Sequence, residues 1–408
     1  MAALAPVNPQ LAYQYGIWLA VIALLTSGRM PRLGPVDCLA VLLCVWATAT
    51  SMWTQDQAAT EVAVYAWWTV ALLLLAARHV MNTRRRLLLV AVAFLAGTTW
   101  AAIELISVGG TTEPSLLRQG IDGVGINYTA YSLATGMVVS LMLWAARTGS
   151  RTTRTALLLA VPVLGYATVI TGTRASLIAV ILVALYVFVN SAVKQAWVAA
   201  VAVSAVLLLA VPFSNLGQYS PGWLDDTFDR PLEDLSGRLL IWPIAEASFW
   251  ESPLLGIGAG AFPGTNPYYG VGAHSLLLAL GNDVGIVGIA IFVALIGFVL
   301  RDAAPATGKR NRMLVGALIV AWTPIWLSGH WEISPAAWLV LAVWSRLPLA
   351  VTPRRSPRRH RRADEPPLPA LVVARGDVWR VGHVNAAVRV PRGLSGSVQA
   401  AAQPLPRR

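Results

Sequence analysis

Two arginines, Arg174 in TGTRASL and Arg238 in SGRLLIW, are the side chains whose type and position point most directly to chemistry. Each lies beside an apolar run, where a charged group needs a partner. A guanidinium group presents planar donors that contact phosphate oxygens in a bidentate manner. Two such groups from different segments would match a pyrophosphate, and the hydroxyls of Thr171 and Thr173 would support that anion site.

The arginines also have structural alternatives. Arg174 can cap a helix or contact a lipid phosphate, and Arg238 can pair with an acid of its own loop such as Glu233. Arg230 lies among acids in DDTFDRPLED, which favours a local ion pair. Arg118, in LLRQGIDGVGINY, leaves an anion contact and a structural role equally open.

His274, in GAHSLLLALGNDVGIVG, is the candidate base. It opens an apolar helix after a glycine-rich approach, and a neutral imidazole can accept a proton near pH 7; the alternative is a surface or capping histidine. Asp283 lies about 13 Å further along that helix by the standard rise, and an acid there is costly unless paired. We therefore expect Asp283 to be functional or a structural anchor. His330, in SGHWEIS, is a second candidate base or a surface residue.

The sequence contains none of the motifs that hold a metal ion or a nucleotide. It has no DxD, Walker or HExxH pattern. Cys38 and Cys44 lie in one apolar run without zinc-type spacing. We therefore expect no metal and no cofactor at the site.

The composition indicates a polytopic membrane protein. Hydrophobic residues make up 56% and charged residues only 12% of the chain, and the mean hydropathy is +0.62. A soluble domain carries about 25% charged residues. The net charge of +12 could suggest nucleic acid as a partner, but the placement of the basic residues indicates membrane orientation, so we expect no nucleic acid.

A membrane-spanning helix needs about 20 mostly apolar residues. The sequence contains eleven candidate segments, at approximately 11–27, 34–53, 61–79, 86–107, 126–146, 155–171, 175–192, 196–212, 274–300, 312–328 and 333–349. They predict an all-α integral membrane protein with about eleven transmembrane helices.

The basic residues cluster in alternate links between these segments. The basic links are 28–33, 78–86, 147–154, 190–195 and 301–312, and the intervening links are 54–60, 107–125, 171–175, 213–273 and 328–332. Of the 31 basic residues, only Arg118, Arg174, Arg230 and Arg238 fall in the second set. The positive-inside rule then predicts an outer N-terminus, a cytoplasmic C-terminus and a long extracytoplasmic loop at 213–273. We expect the protein in the plasma (inner) membrane.

The chain divides into a membrane domain, residues 1–350, and a tail, residues 351–408. The tail contains PRRSPRRHRRADEPPLP, which is rich in proline and arginine and lacks apolar periodicity. Such a composition predicts a disordered segment. Its expected role is to signal orientation and to contact anionic lipid head groups.

The order of these motifs resembles the O-antigen ligase and O-antigen polymerase family of membrane glycosyltransferases. TGTRASL in a short turn is followed by a long loop containing R-x3-W (Arg238, Trp242) and GIGAGAF. A helix beginning H-S-x-L follows, with a later acid-x-Gly at Asp283. GVGINYTAYSLA is similar to the family's asparagine-containing segment, which gives a role to Asn127.

The resemblance covers roughly residues 115–300 and departs from the family at two positions. Ser275 stands where the family usually has asparagine, and Asp283 stands where it often has glutamate.

The resemblance implies metal-independent transfer of a glycan from an undecaprenyl- or decaprenyl-diphosphate carrier to an acceptor glycan or lipid. On that model Arg174 and Arg238 hold the diphosphate, and His274 serves the acceptor hydroxyl. The supporting positions are Arg118, Asn127, Trp242, Asp283 and His330. Ligase and polymerase reactions both remain open.

Three other classes of protein are alternatives. A flippase or transporter for lipid-linked sugars would show repeat symmetry and polar residues at mid-membrane, for which Asp283 is the support. A cell-wall polymerase of the shape-and-division type would use an aspartate of an outer loop, and the loop 213–273 contains several acids. A structural membrane partner would have no activity.

Overall fold

The chain is built almost entirely of α-helices. A computed structural model describes residues 1–28, 32–108, 111–113, 118–146, 150–190, 237–268, 270–303 and 309–351. These residues lie within one compact unit, Met1–Pro353. The predicted span at 196–212, residues 213–236 of the predicted loop and the tail after residue 351 lie outside the described residues.

The helices follow one another along the chain, with one short hairpin between α4 and α5. They are α1 (Pro9–Thr26), α2 (Pro35–Ala49), α3 (Gln57–Val80), α4 (Arg84–Val108), α5 (Ile126–Ala145), α6 (Arg151–Ile170), α7 (Arg174–Asn190), α8 (Arg238–Glu251), α9 (Phe262–Thr265), α10 (Leu276–Ala303), α11 (Lys309–Ser328), α12 (Pro335–Ser345) and α13 (Leu347–Val351). A 3-10 turn, Thr50–Met52, continues α2, and strands β1 (Thr111–Glu113) and β2 (Arg118–Gly120) pair antiparallel. Every predicted span within the described residues coincides with one or two of these helices.

Among the described residues, six helices are long and apolar enough to cross a membrane. They are Pro35–Met52, Gln57–Val80, Arg84–Ser107, Ile126–Ala145, Arg151–Ile170 and Leu276–Ala303. Helices α7 and α12 are apolar but shorter. The all-α membrane class is thereby confirmed, while the full set of eleven spans stays a prediction.

Polar residues mark the starts of several helices. The side chains of Asn8, Asp56, Ser150 and Ser334 each accept a hydrogen bond from the backbone N–H three residues further on. N-caps of this kind satisfy donors that a helix leaves open, and each contributes about 1 kcal/mol. Local polar residues therefore define where these apolar segments begin.

Helix α5 lies at the centre of the bundle. In its apolar stretch 83% of the residues are buried, and it packs against α4, α6, α7 and α11. Ser140 Oγ donates to the Leu157 carbonyl of α6 at 2.6 Å, and Trp322 Nε1 of α11 donates to Thr135 Oγ1 at 3.1 Å. Ser140 and Thr135 are thus paired with neighbouring helices, which helps to fix the position of α5.

The links rich in basic residues meet at one end of the bundle, here called the basic end. Arg78 Nε of α3 donates to Asp37 Oδ1 of α2 at 2.9 Å, and Arg78 Nη2 lies 3.5 Å from Asp302 of α10. Arg84 Nη2 donates to the Ala146 carbonyl at 2.8 Å, which joins the start of α4 to the end of α5. Buried ion pairs and charged hydrogen bonds therefore hold this end together.

The links poor in basic residues meet at the opposite end, here called the site end. Gln55 N donates to the Ile257 carbonyl at 3.0 Å, and Arg238 Nη2 donates to the Ser328 carbonyl at 2.8 Å. Helix α3, with 24 residues, separates the two ends by roughly 35 Å. Within the described residues, links of the two kinds lie at the two ends of α3; the full alternation and which end faces the cytoplasm stay predictions.

Helix α10 is broken at Gly285, where the backbone is left-handed with φ 65°. The loop that follows α8 fills the break. Ile286 N donates to the Pro253 carbonyl at 2.8 Å, and Ile257 N donates to the Asn282 carbonyl at 2.7 Å. Non-helical backbone at membrane depth needs partners from the protein, and this loop supplies them.

The glycine-rich segment GIGAGAF also reaches the link between α2 and α3. Ala259 N donates to Thr50 Oγ1 at 3.0 Å, and Trp53 Nε1 donates to the Gly256 carbonyl at 3.1 Å. The segment therefore lies between α10 on one side and the α2–α3 link on the other.

Replacing Gly285 by alanine should destabilise the fold. The new Cβ would collide with the Leu254 carbonyl, and left-handed backbone costs a residue with a side chain about 1–2 kcal/mol. The combined loss should be about 2 kcal/mol or more. The matched control is Gly297→Ala in the same helix, where a Cβ meets nothing within 4 Å and alanine favours the helix. Thermal unfolding of the purified protein in detergent measures both, and equal midpoints would contradict the broken-helix geometry.

Candidate functional site

The turn between α6 and α7 carries the first predicted anion-binding group. Helix α7 begins at Arg174, two residues after Gly172, whose φ of 59° reverses the chain. Thr173 Oγ1 donates to Asn127 Oδ1 at 3.4 Å. The structure thus brings together the turn of Arg174 and Asn127 on the first turn of α5.

Arg238 begins α8 and anchors it to the end of α11. Its Nε and Nη2 donate to the Ser328 carbonyl at 3.2 and 2.8 Å. Burial lowers the pKa of Arg238, Tyr131 opposes this, and the positive charge of Arg174 lowers it further. Since arginine stays protonated at neutral pH, two positive charges from different helices lie near enough to interact.

The sequence analysis also considered Arg118 and Arg230. Arg118 lies on β2, opposite Glu113 of β1 in the register of the hairpin. Arg230 lies outside the described residues, as does Glu233, the acid considered above as a partner of Arg238.

His274 lies in the approach to α10 and does not open the helix. Helix α10 begins two residues later, at Leu276, because His274 has φ 48°, a left-handed conformation outside helical geometry. The prediction that His274 is the first residue of the helix is therefore wrong. Trp242 Nε1 donates to the Ala273 carbonyl at 3.0 Å and holds the preceding residue. Backbone strain of this kind, roughly 1–2 kcal/mol, recurs at functional sites.

His274 faces a second histidine, His330. Their ring centroids are 5.5 Å apart, with the planes at 36°. His330 Nδ1 in turn lies 4.0 Å from Glu332 Oε1, and the His330 side chain is 45% exposed while that of Glu332 is 6% exposed. Burial raises the pKa of Glu332, and His330 opposes that rise. The structure therefore places a buried carboxylate behind the pair of imidazoles.

Glu332 is a residue that the sequence analysis did not single out. The signal available in the sequence is an acid two positions after a histidine, in a link that contains no other charged residue. Its proximity to His274 depends on the packing of α10 against α12, which no local pattern reveals.

Asp283 is tied to the glycine-rich loop. Its carboxylate accepts a hydrogen bond from the Gly260 backbone N–H and lies near enough to Glu332 for the charges to interact. The adjacent Asn282 donates from Nδ2 to the Ala245 carbonyl of α8 at 2.9 Å. Asp283 was expected to be either a functional residue or a structural anchor. Its hydrogen bond from Gly260 supports the role of a structural anchor.

The link between α11 and α12 connects the arginines to the histidines. Ser328 at its start accepts the bonds from the arginine of α8. Trp331 packs with its ring centroid 5.8 Å from that of Tyr131 on α5. Tyr13 Oη of α1 donates to the Ile333 carbonyl at 2.8 Å. One short link, held from three sides, therefore positions both groups at the site end.

The chemistry available at the site end comes from guanidinium, imidazole and carboxylate groups. In the part of the chain that the structure describes, no cluster of three or more His, Cys, Asp or Glu side chains could hold a metal ion. Guanidinium groups bind anions, and an imidazole beside a carboxylate can accept and pass on a proton.

These features define an α-helical membrane protein with a cationic, histidine-containing site at one end of its bundle. Residues 156–293 match the family model described as O-antigen ligase. This match, which covers about a third of the chain, confirms the resemblance to the O-antigen ligase and polymerase family read from its motifs. A comparison with curated proteins finds no match.

The family assignment gives a coarse function. Members are glycosyltransferase-like membrane enzymes that act on glycans and lipid-linked substrates, and the match indicates a membrane enzyme of that kind. The matched residues include Arg174, Arg238, Trp242, His274 and Asp283, whereas Arg118, Asn127, His330 and Glu332 lie outside the match.

Proposed function

We propose that this protein transfers a glycan from a polyprenyl-diphosphate carrier to an acceptor glycan or lipid at the outer face of the plasma membrane. The observation that carries the proposal is the meeting of Arg174 and Arg238, which come from different helices and interact electrostatically. Paired guanidinium groups suit the two phosphates of a diphosphate. The family supplies the class of reaction.

In the proposed reaction the acceptor hydroxyl oxygen bonds to the anomeric carbon of the donor glycan. The bond from that carbon to the diphosphate oxygen breaks, and its electron pair leaves with the diphosphate. Arg174 and Arg238 stabilise the charge of the leaving group. His274 accepts the hydroxyl proton as the new bond forms. Because a diphosphate is already a good leaving group, the proposal includes no metal ion.

The supporting residues act by position. Asn127 accepts a hydrogen bond from the hydroxyl of Thr173, and this bond orders the turn before Arg174. Trp242 holds the carbonyl that precedes His274. We keep Arg118 as a supporting position on the sequence grounds given above. Both a ligase and a polymerase reaction would use these roles, since they differ only in the acceptor.

The break in α10 is a feature that a transporter for lipid-linked sugars would share. In transporters, discontinuous helices expose their ends to a substrate site. Here the backbone groups around Gly285 bond to residues 253–257 of the loop after α8. Because these backbone groups are already bonded to the protein, the break in α10 has a structural role and is not open to a substrate. This favours an enzyme over a transporter.

We propose that the site end is extracytoplasmic and the basic end cytoplasmic, because arginine and lysine are retained on the cytoplasmic side. A reporter fused at residue 225 should then lie outside, and one fused at residue 375 should lie in the cytoplasm. Paired fusions to alkaline phosphatase and to a fluorescent protein measure this. Two positions that both report the cytoplasm would contradict the orientation.

Loss of either arginine should weaken use of the donor. A charged hydrogen bond contributes about 1.5–3 kcal/mol, so Arg174→Ala and Arg238→Ala should each lower kcat/KM for the donor by about tenfold or more. Arg238→Lys should also be impaired, because lysine lacks the two parallel donors that contact Ser328. Release of free polyprenyl diphosphate from a lipid-diphosphate glycan is the measurement. Arg312→Ala, exposed at the basic end, is the control, and wild-type rates in the alanine variants would refute the diphosphate site.

His274 should affect turnover more than donor binding. General-base assistance contributes about 10²–10⁴-fold, so His274→Ala should lower kcat by that order while donor binding persists. Wild-type activity should survive EDTA and fall in acid, where an imidazole is protonated. His274→Gly, which suits the left-handed backbone, separates lost chemistry from strain, since it should be as inactive but better folded than the alanine variant. If His274→Gln retains normal kcat, His274 is not the base.

A further inference from the structure

We propose that a cavity at the basic end binds the phosphate group of an anionic phospholipid. The cavity lies where the ends of α1 and α3 meet the start of α4, and its volume is about 650 Å³. Small-molecule sites have volumes of about 300–1,000 Å³. The site end, where glycan transfer is proposed, lies at the other end of α3. The cavity is therefore a second site, independent of the proposed function.

Polar and basic side chains line the cavity. They are Thr26, Ser27, His79, Asn82, Thr83 and Arg86. Hydroxyl, amide and guanidinium groups all donate hydrogen bonds, and those from guanidinium to phosphate are among the strongest. Among the described residues that line the cavity there is no acidic one. A lining of donors without a carboxylate suits an anion.

Arg86 is the arginine of the cavity. Its Nη1 donates to Asn82 Oδ1 at 3.3 Å, which positions the guanidinium group. Within the part of the chain that the structure describes, no carboxylate forms an ion pair with Arg86. A guanidinium group carries five N–H donors, so Arg86 keeps donors for a ligand. Its positive charge is the group to which a phosphate would bind.

The two arginines that precede Arg86 have other surroundings. Arg84 Nη2 donates to the Ala146 carbonyl at 2.8 Å and joins two helices. Arg85 is exposed and does not line the cavity. Three consecutive arginines at the start of α4 therefore differ in role, although all three contribute equally to the charge of their link. The cavity contains one of them.

Hydrogen bonds within the protein hold the walls of the cavity. His79, near the end of α3, shares a hydrogen bond of 2.9 Å with Ser27, directly after α1. Arg86 N donates to Thr83 Oγ1 at 3.3 Å at the start of α4. The polar side chains are thus ordered before a ligand binds, and less loss of side-chain freedom opposes binding.

Apolar side chains beside the cavity favour a lipid as the source of the phosphate. Ile22 lies one turn before Thr26 on α1, and Leu89 lies one turn after Arg86 on α4, so each continues a helix face that lines the cavity. Their exposed fractions are 54% and 58%. Since α1 ends and α4 begins at the basic end, both residues lie deeper in the bundle than the cavity. A polar cavity above apolar faces matches a head group above its acyl chains, and basic pockets between membrane helices bind such head groups.

Native mass spectrometry of the purified full-length chain in detergent measures this binding. Dioleoylphosphatidylglycerol and dioleoylphosphatidylcholine share their acyl chains and phosphodiester, but only the first has a net negative charge. The wild type should retain one phosphatidylglycerol in preference to phosphatidylcholine. Arg86→Ala should weaken that retention by about tenfold or more, the loss expected for a charged hydrogen bond. Arg86→Lys keeps the charge without the bidentate donors, so its retention should lie between the two.

The matched control is Arg85→Ala, which removes the same charge from the same turn of α4 but not from the cavity. It should weaken retention by less than about fivefold, the effect of one charge near a membrane surface. Ala23→Phe keeps every charge and places a ring in the cavity that Ala23 lines, so it should abolish the preference for phosphatidylglycerol. Melting temperatures without added lipid show that each variant is folded. Equal losses in the two alanine variants, or normal retention in Ala23→Phe, would overturn the cavity as the site.

Inorganic phosphate distinguishes the two sources of a phosphate group. At millimolar concentration it should displace little phosphatidylglycerol, because it has no acyl chains. Displacement in the wild type would assign the cavity to the free ion and overturn the phospholipid, and equal retention of the two lipids would overturn the anionic ligand. Glycan transfer enters none of these measurements, so a failure of the proposed function leaves their outcome unchanged.

Discussion

The requirement that backbone polar groups be paired where a membrane helix is irregular determines much of this structure. Helix α10 stops being helical at Gly285, and the carbonyls and amides left there bond to the loop of residues 253–257. In an apolar environment each unpaired group would cost several kcal/mol. The break and the loop are therefore mutually dependent, and the glycine-rich segment can exist at that depth only because α10 is broken.

The same pairing holds the site in place. Carbonyls that no helix uses accept bonds from the side chains around them: Ser328 from Arg238, Ala273 from Trp242 and Ile333 from Tyr13. Two of these bonds join a non-helical link to a helix, and the bond from Arg238 joins the start of α8 to the last residue of α11. Groups carried on loops are thereby fixed by helices, which is the condition for a preorganised site.

The two ends of the bundle differ in the charges that lie next to each other. At the basic end, buried Arg78 is paired with Asp37 and lies near Asp302, so positive charge is balanced within the protein. At the site end, Arg174 and Arg238 lie near enough for the charge of Arg174 to lower the pKa of Arg238, less than burial does. Like charges brought together raise the free energy of the protein alone and strengthen its attraction for an anion. The proposed diphosphate site lies at the site end, away from these ion pairs.

The amino-acid sequence by itself determined the membrane class, the positions of the apolar helices and the alternation of basic links, but not helix α8, which lies within the predicted loop 213–273. These are local properties, because apolar length, N-cap residues and the charge of a link are each read from adjacent residues. The sequence also indicated Arg174, Arg238 and His274 as separate candidates. Only the tertiary structure decided that the two arginines share one region, that His274 has a left-handed backbone before α10, and that His330 and Glu332 lie behind it. Those relations join residues far apart in the chain, and they arise from helix packing and from the pairing of irregular backbone, neither of which is encoded in any single segment.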